Sequence, residues 1–347
     1  MIRLSIIIPM YNVAPYVERC ILSLENQDIP KDEYEIICIN DGSPDNCKEI
    51  IEGLQKDFKN IILINQENQG VSRARNNGIN NAGGEYILFI DPDDYVDANT
   101  FKSILNNAFV KNAEVSILGF TFLNENGIIR DQILNQSNTF QVYSGHKAYY
   151  LARGNGQTDP DRMVGVLFKT AFINNYQLRY LENVPYLEDG EFIARILCLA
   201  QHCIFDGRSF YQRTTRTGSA TNSNLFYTDK AMKGFLLAAI NLKKFQEQHG
   251  LSKEQRTFLN QPICKFVFLT LGATLHRAHI KNFRKTKKQL LEYKLKPLEL
   301  KGIARPYIYY ARVYNNFFSA LIIQALVKES IRITKSYIKR IFVLLAI

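Results

Sequence analysis

Four short apolar runs recur in the first hundred residues, and each is followed by polar residues and then a helical period. Leu4-Ser5-Ile6-Ile7-Ile8 is the first, stopped by Pro9. Val13, Val17, Ile21 and Leu24 then recur at helical spacing, which predicts a helix starting at Asn12. Glu35 to Ile39 is the second run, and it ends in the turn-rich Asn40-Asp41-Gly42-Ser43-Pro44-Asp45. Ile61 to Ile64 is the third, and Gly70 then opens a helix over 71–82. Tyr86 to Ile90 is the fourth, bounded by Gly83-Gly84 and Pro92. Alternating strand and helix predicts a parallel sheet covered on both faces.

Further on, the pattern predicts a helix over 98–110, a strand over 114–119 and a polar hairpin around 124–127. Residues 154–160 read as a loop and 163–168 as a strand. Glu188, Asp189 and Glu191 open a helix running to about Ala200. From 225 onward the chain reads as helices over 229–248, 253–279 and 283–293, and from 306 on.

Charge sharpens that division. Residues 1–229 carry 20 Lys/Arg against 28 Asp/Glu, whereas 230–347 carry 23 against 5. An acidic body thus gives way to a basic region, which points to an anionic partner. Lys328, Arg332, Lys335 and Lys339 form one helical stripe with apolar flanks, and the chain ends Phe342-Val343-Leu344-Leu345-Ala346-Ile347. That composition suits an anionic membrane surface, with packing on the first part of the chain as the alternative. No nucleic-acid-binding module is present, so nucleic acid is not expected as a partner. There is no apolar run of 18 residues, and the N-terminal apolar core is short for a signal peptide, which places the chain in the cytoplasm. The six cysteines lack CxxC or metal spacing and read as buried thiols. His276 and His279 lack a third ligand and read as surface residues.

The candidate chemistry sits at the ends of strands. Asp91-Pro92-Asp93-Asp94 puts three carboxylates at the tip of a buried strand, a costly arrangement unless a cation compensates. Oxygen ligands suit Mg²⁺ or Mn²⁺, which often also hold a substrate's phosphates. The plainer reading is a solvated turn in which Asp94 or Asp97 caps the next helix. Pro9-Met10-Tyr11-Asn12 and Asn40-Asp41-Gly42-Ser43 also follow strands and would share one sheet edge with Asp91. There Tyr11 suits a base, Asp41 a base N–H, Asp91 ribose hydroxyls and Asp93 a metal. Neither GxxxxGK[ST] nor GxGxxG occurs.

Five blocks together resemble family 2 glycosyltransferases. They are Ile8-Pro9 with Tyr11-Asn12, Ser23-Leu24 with Gln27, Glu35 through Asp45, Asn68-x-Gly70-x-x-x-Ala74-Arg75-Asn76-x-Gly78, and Gly84 through Asp94. The resemblance implies an α/β GT-A fold, a Rossmann-like and mostly parallel sheet with helices on both faces, plus a helical basic C-terminal region. It implies a catalytic domain over 1–224, with a nucleotide-binding half over 1–95 and an acceptor half over 96–224, followed by 225–347.

The activity implied is inverting transfer from a nucleotide-sugar, with UDP-sugars foremost, to a glycan or lipid-linked oligosaccharide at the cytoplasmic face of the membrane. Pro9, Tyr11, Asn12, Asp41, Arg75 and Asp91 would then bind the nucleotide. Asp93 and Asp91 would hold Mn²⁺ or Mg²⁺, and Arg213 or Arg216 would close on the pyrophosphate. Asp189, 98 residues after Asp91 with Phe192 following, would be the general base and Glu188 its neighbour. Asn40 departs from the family's usual aspartate and removes one negative charge from the pocket. A nucleotidyltransferase would need a Gly-rich, Lys/Arg-bearing loop where Pro9-Met10-Tyr11-Asn12 stands. A non-catalytic glycan-binding protein would have no reason to keep Asp41, Asp91, Asp93 and Asp189 together.

Overall fold

The computed structural model describes residues 1–124, 126–134, 141–154, 162–215, 224–248, 250–275, 280–305, 307–318 and 323. The chain forms two compact units, Met1–Asn222 and Ser223–Ile347. His276, His279, Arg216 and the basic stripe Lys328, Arg332, Lys335 and Lys339 lie outside the described residues.

In the first unit, β1 (Leu4–Met10) leads to α1 (Ala14–Glu25), β2 (Tyr34–Asp41), α2 (Cys47–Leu54), β3 (Ile61–Gln66), α3 (Val71–Asn81) and β4 (Tyr86–Phe89). Then follow β5 (Tyr95–Val96), α4 (Phe101–Val110), β6 (Val115–Leu123), β7 (Ile129–Ile133), α5 (Gly145–Gly154) and β8 (Val166–Lys169). The unit closes with α6 (Thr170–Asn175), α7 (Glu188–Leu199) and β9 (Cys203–Thr214).

These strands form one nine-stranded sheet in the order β3-β2-β1-β4-β8-β6-β9-β5, with β7 paired to β6. The first four strands are parallel. The sheet then turns mixed: β8 runs antiparallel to both β4 and β6, while β6 and β9 are parallel.

Burial on both faces explains why β1 is almost wholly apolar. Ile6 and Ile8 face the cluster that holds Val17, Ile21 and Leu24 of α1. Ile7 faces α3, where a Cβ added at Gly78 would sit 2.3 Å from the Ile7 side chain. Glycine is therefore what allows α3 so close to the sheet. All six cysteines are buried and free.

Two helix starts differ from the sequence expectation. α1 begins at Ala14 rather than Asn12, because Asn12 takes a left-handed turn at φ 56°. α4 begins after Thr100, and neither Asp94 nor Asp97 caps it. Both aspartates are engaged with β9: Tyr211 and Thr214 bond Asp94, and Gln212 bonds Asp97.

The second unit contains α8 (Asp229–Gln246), α9 (Lys253–Leu275), α10 (Ile280–Glu292) and α11 (Tyr307–Asn316). Thr228 caps α8 by accepting a hydrogen bond from the Ala231 N–H. Gln246 donates to the Arg256 carbonyl and to Asn260, and Asn260 donates to the Lys301 carbonyl. α9 is long and apolar enough to cross a membrane by composition, but 72% of its apolar window is buried inside the protein, as in a core helix.

Candidate active site

The carboxyl ends of β1, β2 and β4 meet the end of β9 around a cavity of about 440 Å³. Pro9, Met10, Tyr11 and Val13 form its β1 side, and Asp41, Val71 and Ala74 its β2–α3 side. Asp91, Pro92, Asp93 and Asp94 follow β4, while Arg213 and Thr214 come from β9. Strand ends of an open α/β sheet are where such folds place ligands.

The loop after β1 is tied to the loop after β2. The Asn12 N–H donates to the Ser43 hydroxyl, which donates to Asp45 at 2.6 Å. The Ala14 N–H donates to the other Asp45 oxygen at 2.7 Å, so Asp45 holds the first turn of α1. Burial would raise the Asp45 pKa, but Ser43 and the N–H groups of Ala14 and Cys47 outweigh it and hold the group at about 2. Tyr11 is thereby left on the cavity wall, half exposed.

Asp41 is buried and already used by its own chain. One oxygen accepts from Gln66 and the Gln69 N–H, the other from the Gly70 N–H, each at 2.8 Å. Gly70 sits at φ 87°, a conformation that favours glycine and lets this N–H point back at Asp41. Asp41 therefore braces the start of α3 as well as facing the cavity.

Arg75 departs most from its sequence reading as a nucleotide contact. It does not line the cavity and is only 3% exposed. One guanidinium nitrogen donates to Glu188 at 2.7 Å and Asp189 at 2.9 Å, and the other to Asp91 at 3.1 Å. Its flat face lies 5.2 Å from the Tyr180 ring centroid, and Tyr180 stacks on Phe192 at 4.0 Å. Burial would lower the Arg75 pKa, but Asp189, Glu188 and Asp91 raise it above the ordinary arginine value. One cation thus joins an acid on the cavity wall to two acids at the start of α7. The α7 N-terminus also favours those acids through its dipole. Leu187, just before it, takes the left-handed conformation at φ 57° and turns the chain into the helix.

The three aspartates after β4 have different surroundings. Burial raises the Asp91 pKa, Arg75 and Arg213 oppose this, and Asp93 and Glu188 add to it. Asp94 is buried, with one oxygen accepting from the Tyr211 hydroxyl at 2.8 Å and the other from the Thr214 N–H at 2.7 Å. Burial, then Asp91 and Asp93, raise its pKa well above the carboxylate range. The Asp93 carbonyl accepts from Thr214 Oγ1 at 2.7 Å and from Arg19 at 2.6 Å.

Among the described residues, no group of three His, Cys, Asp or Glu is placed to hold a metal by itself. Asp91 and Asp93 nonetheless fit an ion shared with a diphosphate. Such ions take one or two carboxylates and fill the remaining positions with phosphate oxygens and water. Tyr211, Thr214, Arg19 and Tyr180 had no assigned role in the sequence reading. Tyr211 and Thr214 lie at the end of β9, but nothing local tells that they reach the acidic loop.

Residues 5–161 match the family description "Glycosyl transferase family 2". Those residues belong to glycosyltransferase family 2. Among family 2 relatives, glycosyltransferase GlyA of Streptococcus pneumoniae is 27% identical over 236 residues, covering 66% of this chain and 32% of that protein. The poly(ribitol-phosphate) beta-glucosyltransferase of Bacillus spizizenii is 33% identical over 192 residues, covering 55% of this chain and 28% of that protein. The chain thus spans about a third of the length of the curated relatives it matches. The crystal structure of Staphylococcus aureus TarS residues 1–349 in complex with UDP-GlcNAc superposes with a TM-score of 0.67 at 20% identity. The superposition covers 95% of this chain and 92% of that one. The shared fold is GT-A.

Proposed function

We propose that this chain is an inverting glycosyltransferase that moves a sugar from a UDP-sugar to a hydroxyl of a surface polysaccharide. The reading rests on Arg75, whose guanidinium couples Asp91 on the cavity wall to Glu188 and Asp189 at the start of α7. That coupling gives one site a nucleotide-sized cavity and, beside it, a carboxylate for proton transfer. The named relative that acts on poly(ribitol-phosphate) and the TarS complex with UDP-GlcNAc support a UDP-hexose or UDP-N-acetylhexosamine donor and a polymeric acceptor.

In this mechanism Pro9, Tyr11 and Asp41 seat the nucleoside, and Arg213 faces the diphosphate. Arg75 acts on the donor indirectly, by fixing the acids around it. The acceptor hydroxyl attacks the anomeric carbon on the face opposite the diphosphate and gives its proton to Asp189. The bond from that carbon to the diphosphate oxygen breaks, and its electron pair leaves with UDP. Asp91 and Asp93 would hold Mn²⁺ or Mg²⁺, which when bound neutralises the leaving diphosphate. Transfer would take place at the cytoplasmic face of the membrane, where a lipid-linked acceptor is within reach.

The test offers UDP-glucose, UDP-GlcNAc and GDP-mannose in turn, with Mn²⁺, and measures release of nucleoside diphosphate. Release from a UDP-sugar is expected, falling to background in Asp93→Ala. Release that persists in Asp93→Ala, or no turnover of any of the three donors, overturns the reading.

A further inference from the structure

The second unit carries a basic helix face. α10 buries Phe283, Thr286 and Leu290 and turns Arg284, Lys285, Lys287 and Lys288 to solvent. No acidic residue precedes Glu292 on this helix. Solvated helix faces gain stability by pairing opposite charges three or four positions apart. Here four like charges fall within five positions, an arrangement that repels itself until an anion arrives.

Apolar and aromatic side chains border these cations. Leu291, one turn beyond Lys287, is 50% exposed, and Phe317, just after α11, is 67% exposed. Phe318 stacks on Phe283 of α10 at 5.1 Å, which places the end of α11 against α10. The ammonium groups of Lys287 and Lys296 lie 5.7 and 5.1 Å from the Phe318 ring. Tyr310, two helical turns before Phe317, is 45% exposed. Cations beside exposed aromatic rings combine the two kinds of group that settle at a lipid–water interface.

We propose that the outer face of α10 and the adjoining end of α11 form a docking surface for an anionic bilayer. Arg284, Lys285, Lys287 and Lys288 meet lipid phosphates, and Phe317 enters the interfacial layer. Three of the four cations are lysines, compact point charges suited to a diffuse field of phosphates. A site that reads one phosphate bidentately would favour arginine. A single-stranded nucleic acid would call for rings aligned along a basic groove rather than a protruding phenylalanine beside a convex helix. The proposal is independent of the transfer reading, because it concerns no residue of the cavity.

The full chain is sedimented with vesicles of phosphatidylcholine alone and with about 30% phosphatidylglycerol, at low and high salt. Binding is expected to the anionic vesicles only, and to weaken with salt. Replacing Arg284, Lys285, Lys287 and Lys288 together by Gln is expected to lower partitioning about tenfold or more. UDP release in vesicle-free solution should not change. The chain has no tryptophan, so Phe317→Trp introduces a single indole. Its emission is expected to shift to the blue with anionic vesicles and not with neutral ones. Undiminished binding by the α10 variant, with loss instead on replacing Lys328, Arg332, Lys335 and Lys339 by Gln, overturns the proposal. So does tighter binding to RNA than to vesicles, or an indole spectrum indifferent to lipid.

Discussion

The hydroxyl of Tyr211 donates to Asp94 at 2.8 Å and accepts the N–H of Asp91 at 3.1 Å. One buried phenol on β9 therefore fixes both ends of the acidic loop after β4. Thr214, three residues on, holds the middle of that loop through the Asp93 carbonyl. The loop that faces the cavity with carboxylates is shaped by a strand more than a hundred residues away.

Tyr211→Phe removes that brace while keeping the ring. It leaves the Asp91 N–H and one Asp94 oxygen without this partner, at a cost of about 1–3 kcal/mol for a buried polar group. The expected result is a lower urea midpoint at unchanged slope, together with weaker UDP binding by calorimetry. Wild-type values for both would show that Tyr211 only fills space.

Arg75 is the cation that makes three neighbouring carboxylates tolerable. Breaking a buried ion pair by removing one partner typically costs about 3–5 kcal/mol, because the other charge is left uncompensated. Arg75→Ala is expected to lose stability on that scale in chemical denaturation. Arg75→Lys keeps a charge but lacks the planar fork that reaches Asp91 on one side and Glu188 with Asp189 on the other. It should fold, with UDP-sugar turnover strongly reduced. Wild-type turnover in Arg75→Lys would mean that charge alone is enough.

The first four strands were legible because both faces of β1, β2 and β4 are buried, which leaves near-continuous apolar runs bounded by turn residues. The cavity-facing Tyr11, Asp41, Asp91 and Asp93 were legible for a related reason: polar residues directly after such runs fall on one sheet edge. The link from Arg75 to Glu188 and Asp189 was not legible, because those partners lie 113 and 114 residues away. A helix sequence does not record which acids fold over it. Asp94 was mistaken for a helix cap for the same reason, since its partners Tyr211 and Thr214 lie more than a hundred residues away on β9. The antiparallel course of β8 leaves no trace in the apolar pattern of Val166-Leu167-Phe168, because burial selects the same residues in either direction.

Asp45 links pH to the anchoring of the β1 loop. Its folded pKa of about 2 lies below the ordinary carboxylate value, so its ionised form stabilises the fold at neutral pH. That contribution is complete above about pH 4 and is lost as pH falls through about 2. Asp45→Asn should therefore be less stable than the parent at pH 6 by about 1–3 kcal/mol. The gap in urea midpoints should narrow as pH falls from 4 toward 2. A gap independent of pH would assign the effect to packing rather than charge.

Glu188 and Asp189 share one nitrogen of Arg75, at 2.7 and 2.9 Å, yet they are not equivalent. The Glu188 side chain is 12% exposed and that of Asp189 is 22% exposed. The more accessible carboxylate is better placed to meet an acceptor hydroxyl, and the more enclosed one to fix the guanidinium. Asp189→Asn keeps the shape and an oxygen for Arg75 but can no longer take a proton. It should lower kcat by about 10²–10⁴-fold and leave UDP affinity near the parent value. Glu188→Gln should instead act mainly on stability, through the weakened pair with Arg75, with a smaller loss of kcat. Steady-state kinetics and urea denaturation on the two variants separate the roles. Equal kcat losses with unchanged stability would mean that the pair acts as one unit, and the reverse pattern would move the base to Glu188.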